Sequence, residues 1–254
     1  MSNYTEFNVQ PHATSTQGIY EANSTQKMVL GARLEMSDGR VFRYAKNGGT
    51  ALAAGYLCQS PAVGGNTTAQ VNLTVVTAGA AGSDTIVVTT TTDTITVNLW
   101  QGGYLTVYGA SGTTGTGQTY RIKSNTACSA NGNSTITIYD TFVVAVSTSC
   151  TVSVCKHPYD SVVVGAATMT GIVTGVPLIA VTAAYYCWLQ TWGVCGVWSD
   201  SAAALTVAAD VLASNAVAGS VEADDAAKAQ QFIGKTIYAG AASKCIPVFL
   251  QIAP

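Results

Sequence analysis

Apolar and polar side chains alternate at a period of two along most of this chain. The pattern is densest over residues 185–198, YYCWLQTWGVCGVW. A strand sends successive side chains to opposite faces, so Tyr185, Cys187, Leu189 and Thr191 fall on one side and Tyr186, Trp188, Gln190 and Trp192 on the other. Both sides are bulky, which predicts a central strand covered on both faces, with Gly193 and Gly196 marking a bend, a bulge or a close backbone approach. Upstream, residues 28–36 and 41–44 alternate around Ser37-Asp38-Gly39-Arg40. Asp-Gly supplies the positive φ of a tight turn, so this stretch predicts a β-hairpin.

Between residues 66 and 155 the alternation continues in a Thr-rich texture, through runs such as QVNLTVV, TIVVTTTT, GYLTVYG, TYRIKSN, STITIYD and TVSVC. Branched residues at every second position, punctuated by Gly, Asn, Ser and Asp, predict at least five short strands in a sheet layer or small barrel. The first texture returns after His157-Pro158, and four or more further strands follow to the C-terminus. Residues 50–61 and 204–214 share a faint turn-then-strand likeness. Residues 222–231 alone have a helix-friendly composition and are expected to form a single helical turn or an exposed loop.

The fold class that follows is all-β, a β-sandwich or β-barrel-like domain with an inserted β subdomain and an extended N-terminal arm. The expected boundaries are 1–27 for the arm, 28–62 and 160–254 for a discontinuous β domain, and 63–159 for the inserted Thr-rich subdomain. The arm is polar and has no sustained period. Ordering it costs about 1 to 2 kcal/mol of backbone entropy per residue, which apolar contacts must offset. Tyr4, Phe7, Val9, Ile19 and Tyr20 are its large apolar groups, and they are the expected protein-interface residues, seated on a neighbouring subunit or on the chain's own domain.

Composition sharpens the picture. Only 9% of the residues are charged and the net charge is −2, while 48% are hydrophobic; an average soluble domain carries about 25% charged residues. So little charge leaves much of the surface suited to other protein, and without a clustered basic face the chain is not expected to bind nucleic acid. The uncharged window 170–189 contains Gly171, Gly175 and Pro177 and lacks flanking cations, so it predicts buried β structure, not a membrane span. Seven cysteines form an odd set, and the first residues show no secretory pattern, so reduced thiols made in a cytosol are expected. Their spacings do not match a metal site.

Candidate chemistry is sparse. The two histidines, His12 and His157, lie far apart, no nucleophile elbow occurs, and Asp93, Asp140, Asp160, Asp200 and Asp210 are scattered singly. The glycine loop at 109–117 lacks the Gly-Lys-Ser/Thr close of a phosphate loop. Glu222, Asp224 and Asp225 are expected on a solvated face without a calcium-loop spacing. No catalytic, cofactor-binding or metal residue is therefore predicted, and the expectation is a protein that is not an enzyme.

Several stretches together carry a family likeness: Asp38-Gly39-Arg40-Val41-Phe42-Arg43-Tyr44 with Asn47-Gly48-Gly49 and Leu52-Ala53-Ala54-Gly55; Gln101-Gly102-Gly103-Tyr104-Leu105 through Gly115-Thr116-Gly117-Gln118-Thr119-Tyr120-Arg121-Ile122; and Tyr185-Tyr186-Cys187-Trp188-Leu189-Gln190-Thr191-Trp192-Gly193. Over most of residues 28–254 the chain resembles the capsid decoration or cement proteins of tailed bacteriophages of marine or cyanobacterial type. The resemblance implies a β-rich clamp on the outside of an icosahedral head, made in the host cytoplasm. Its implied partners are the major capsid protein and itself, as trimer or dimer, with no nucleic acid or membrane. It carries over no ligand or enzymatic residue. The alternative is a virion fibre or adhesin with receptor or glycan binding.

Overall fold

The computed structural model describes residues 7–8, 16–61, 69–109, 114–200, 205–224, 230–241 and 243–254. In chain order the strands are β1 (Phe7–Asn8), β2 (Arg33–Met36), β3 (Val41–Lys46), β4 (Cys58–Gln59), β5 (Ala69–Thr77), β6 (Thr85–Thr89), β7 (Tyr104–Tyr108), β8 (Thr119–Asn125) and β9 (Asn133–Ile138). They continue as β10 (Thr151–Cys155), β11 (Val163–Val164), β12 (Val173–Pro177), β13 (Tyr186–Trp198), β14 (Asp210–Ala213), β15 (Val221–Ala223), β16 (Phe232–Thr236) and β17 (Cys245–Gln251). The fold is all-β, and no helix occurs among the described residues. The chain divides into two compact units, Met1–Pro61 with Pro158–Pro254, and Ala62–His157.

The second unit is a closed six-stranded barrel in the order β10-β5-β6-β9-β8-β7. Period-two alternation closes it. Leu73, Val75, Ile86, Val88, Leu105, Val107, Ile122, Ile136, Ile138, Val152 and Val154 point inward around Trp100 and Phe142, and the intervening Thr and Ser face out. Asn125 is buried at one end of this core. Its Oδ1 accepts from Trp100 N (3.0 Å) while its Nδ2 donates to the Thr96 and Thr126 carbonyls, so the turn carrying Trp100 is held by a side chain.

The first unit is an eleven-stranded sheet with the path β1-β2-β3-β13-β17-β16-β14-β15, from which β12, β4 and β11 branch. The hairpin predicted around Asp38-Gly39 is β2–β3. Gly39 takes φ +83°, its N–H donates to the Met36 carbonyl (2.9 Å), and Met36 N–H donates to the Arg40 carbonyl (2.9 Å). The predicted central strand is β13, which pairs with β3 over residues 186–192 and with β17 over residues 192–198. A register shift between Gln190 and Trp192 accompanies φ +86° at Gly193, a bulge where the strand changes partner. The apolar window 170–189 is β12, a turn and the start of β13; no helix of the described residues is long and apolar enough to cross a membrane.

One local device recurs in both units. Four reciprocal bridges, Leu52 with Val181, Gly79 with Val146, Ile95 with Cys128 and Leu205 with Gly240, stand outside the strands. Three residues after seven of those eight positions the chain turns left-handed, at Gly55, Ala184, Gly82, Asn98, Asn131, Ala208 and Ser243, and at most of these a strand follows. The faint likeness of 50–61 to 204–214 is two instances of it.

One expectation is corrected. Glu222 is neither helical nor on a solvated face: it lies in β15 opposite Leu212 and is only 8% exposed, because pairing of Val221–Ala223 with β14 overrides the local composition. Residues 225–229 lie outside the described residues.

Candidate interaction surface

The central strand organises the surface. Its odd-numbered side chains are buried along its whole length: Cys187 and Leu189 pack with Ala45, Leu52, Cys58, Val162 and Val181, and Cys195 and Val197 pack with Leu57, Val176, Val211, Ile233, Val248 and Leu250. Burial pushes the Cys187 thiol up to about 12. It does the same at Cys195, where Cys245 adds to the shift and Arg40 opposes it.

The even-numbered face is treated differently along its length. Up to Gln190 it is covered. Tyr186 and Trp188 pack against Ile19, Leu34, Phe42 and Tyr44, with the Tyr44 ring edge-on to Trp188 at 5.0 Å. The cover is strapped down by Gln17. Its Nε2 donates to the Tyr186 carbonyl (2.9 Å), its Oε1 accepts from the Tyr44 hydroxyl (2.7 Å), and its backbone carbonyl accepts from Trp188 Nε1 (3.0 Å). The Tyr44 hydroxyl in turn accepts from Lys27 N–H (3.0 Å), and Asn23 and Tyr186 exchange both backbone hydrogen bonds.

Beyond Gln190 no such cover lies over it among the described residues. Trp192, Val194, Gly196 and Trp198 face outward beside Gln251, Phe249, Pro247 and Cys245 of β17, in cross-strand register. The row through Val194 and Phe249 continues to Lys235 on β16 and Asp210 on β14, and Ile237 lies next to Pro247. Val194 is 51%, Ile237 42% and Phe249 38% exposed. Trp192 meets Phe249 edge-on at 5.8 Å and Trp198 leans on Tyr56 at 5.8 Å, so the aromatic groups are held in place. Gln190 sits at the boundary, donating from Nε2 to the Trp192 and Val194 carbonyls at 3.0 and 2.9 Å.

Two ion pairs border this face: Lys235 with Asp210, and Arg40, which lies against Gly193, with Asp38 at 2.7 Å. Burial works against ionisation of Asp38, but hydrogen bonds from the Arg40 amide and guanidinium hold its carboxyl below the ordinary value. The arrangement is suited to packing against protein. No group of three or more His, Cys, Asp or Glu capable of holding a metal occurs among the described residues. All seven cysteines are free thiols. His157 is buried and its ring stacks on Tyr104; His12 lies outside the described residues.

The five expected interface residues separate. Ile19 is 6% exposed and belongs to this chain's own core, whereas Tyr20 next to it is 62% exposed. Phe7 pairs with Met36 at the sheet edge. Tyr4 and Val9 lie outside the described residues. Sequence reasoning missed Gln17 as the strap and the open half of β13. A lone glutamine in a polar segment carries no periodic signal, and the apolar pattern is equally dense in both halves of the strand. Comparison with protein-family models, with curated proteins and with solved structures finds no match to this chain.

Proposed function

We propose that this chain is a virion structural protein, a cement or decoration protein on the outside of an icosahedral phage head that stabilises the major capsid protein lattice. The observation that carries the reading is the aromatic central strand left uncovered, among the described residues, over half of one face, on a chain with few charges; an apolar surface patch of this size is often functional. The family likeness of residues 28–254 supplies the rest. In this reading the chain works by contact alone. Binding the assembled shell and not its separated subunits shifts the equilibrium toward the intact shell by mass action, and many copies on a symmetric lattice turn modest contacts into avidity. Tyr20 and the arm residues Tyr4, Phe7 and Val9 are the proposed anchors to the shell.

The test is to add purified protein to heads of the encoding phage that lack it, and to follow binding by cosedimentation and imaging. Saturable occupancy at lattice positions and a raised temperature of head rupture are expected. Absence of head binding overturns the reading, and selective retention on a glycan array in that case points instead to a fibre or adhesin.

A further inference from the structure

We infer that the open half of the β13 face is where two copies of this chain meet, sheet against sheet about a two-fold axis. This deepens the proposed function by naming the partner of that face, and it rests on reading the face as a protein contact, not on the capsid.

Two observations select a second copy, and a third sets how tightly it is held. The first is charge. Lys235 and Arg40 border the face with their counter-ions, Asp210 and Asp38, already in place. These two pairs offer no free charge to an acidic or basic partner, while an identical face paired in the same way brings little like-charge repulsion. The second is shape. Gly196 leaves bare backbone between Val194 and Trp198, where an added Cβ would meet only Cys245 Sγ, at 3.0 Å. A notch at Gly196 thus stands one row from the Val194 and Phe249 knobs, and a two-fold axis between those rows sets the knobs of each copy over the notch of the other.

The third is size. From Trp192 to Trp198 the strand runs about 20 Å, and the patch is about 15 Å wide across β13, β17 and the residues following β16, or about 300 Å² per copy. A stable dimer needs about 800 Å² per partner. The contact is therefore weak between free molecules and strengthens when copies are held side by side on a lattice.

Cys245 reports on this face, since it is exposed and lies directly across from Trp198, whereas Cys155, exposed on the barrel unit, serves as a reference. The full chain is followed by sedimentation velocity and by iodoacetamide alkylation with peptide mass spectrometry, at protein concentrations below and above about 100 μM. Dimer is expected to appear across this range, with Cys245 alkylation slowing several-fold and Cys155 unchanged. Val194→Asp, at an exposed position, is expected to retain the strand-rich circular dichroism spectrum and lose both effects. Gly196→Leu, which fills the notch but presses on Cys245 Sγ, is followed by sedimentation alone and is expected to lose the dimer.

A single monomeric species with a concentration-independent Cys245 rate overturns the inference. So does a dimer that survives Val194→Asp, which places the contact elsewhere. Protection already present at the lowest concentration and lost on removing residues 1–6 overturns it in favour of the chain's own arm. If the Val194→Asp monomer still binds heads, the capsid reading stands whatever becomes of the self-contact.

Discussion

Cys187 and Cys195 sit on the fully buried face of β13, where desolvation of a thiolate outweighs the opposing pull of Arg40 on Cys195. Burial raises each from an ordinary 9.0 to about 12, and Cys58 is raised as well. In the unfolded chain these thiols ionise near 9, so above that pH the unfolded state binds fewer protons than the folded one. The stability they contribute is intact below pH 9 and is lost as pH rises toward about 12, with a slope of about 1.4 kcal/mol per pH unit for each thiol. Urea unfolding at a series of alkaline pH values checks this. Cys195→Ala is expected to remove one thiol's share of the slope while costing about 1 kcal/mol at neutral pH through lost packing; an unchanged alkaline slope would contradict it.

At the level of elements, the N-terminal segment is two pieces with different tasks. Residues 17–27 cover Trp188 and Tyr44 and satisfy their polar atoms through Gln17, so they belong to the unit's core. Residues 1–15 contribute, among the described residues, the two-residue pairing of β1 with β2. Removing residues 1–15 is expected to shift stability by no more than about 1 kcal/mol, whereas removing residues 1–24 takes away Ile19 and the Gln17 hydrogen bonds and is expected to cost about 3 to 5 kcal/mol. Denaturant titration of the two truncations separates these outcomes, and equal destabilisation would sink the division. In the same truncations, loss of head binding with residues 1–15 alone would assign anchoring to Tyr4, Phe7 or Val9. The hairpin β2–β3 and the central strand were legible because a turn residue and a period of two are local signals. The strap was not, because its meaning lies in hydrogen bonds to residues some 170 positions away.

The barrel is the part of the molecule whose closure is complete within itself. β10 pairs with both β5 and β7, bringing Cys155 opposite Ala69 and so setting the two ends of the unit side by side. Its core is continuous around Trp100 and Phe142 and, among the described residues, draws on none outside Ala62–His157. A fragment of those residues is expected to fold alone, with a strand-dominated circular dichroism spectrum and one cooperative thermal transition. A broad, non-cooperative melt would show that the barrel needs the rest of the chain. Ile136→Ala in the same fragment, at a fully buried position, is expected to cost about 2 to 5 kcal/mol, a further check that this core is what melts.

Alternation along the chain by itself determined that this protein is all-β, that a hairpin turns at Gly39, that the Thr-rich region makes a sheet layer or barrel, and that residues 185–198 form a central strand. These follow from side-chain period and turn chemistry, which act between near neighbours. Only the tertiary structure decided where burial stops. Trp188 and Trp192 stand in the same alternating run, yet one is sealed under residues 17–36 and the other faces outward, because cover depends on which distant segment the topology delivers and how far it reaches. The same reason put Ile19 in the core and left Tyr20 exposed, and drew Glu222 into a strand. Pairing partners far apart in the chain set these environments, and no local pattern encodes them.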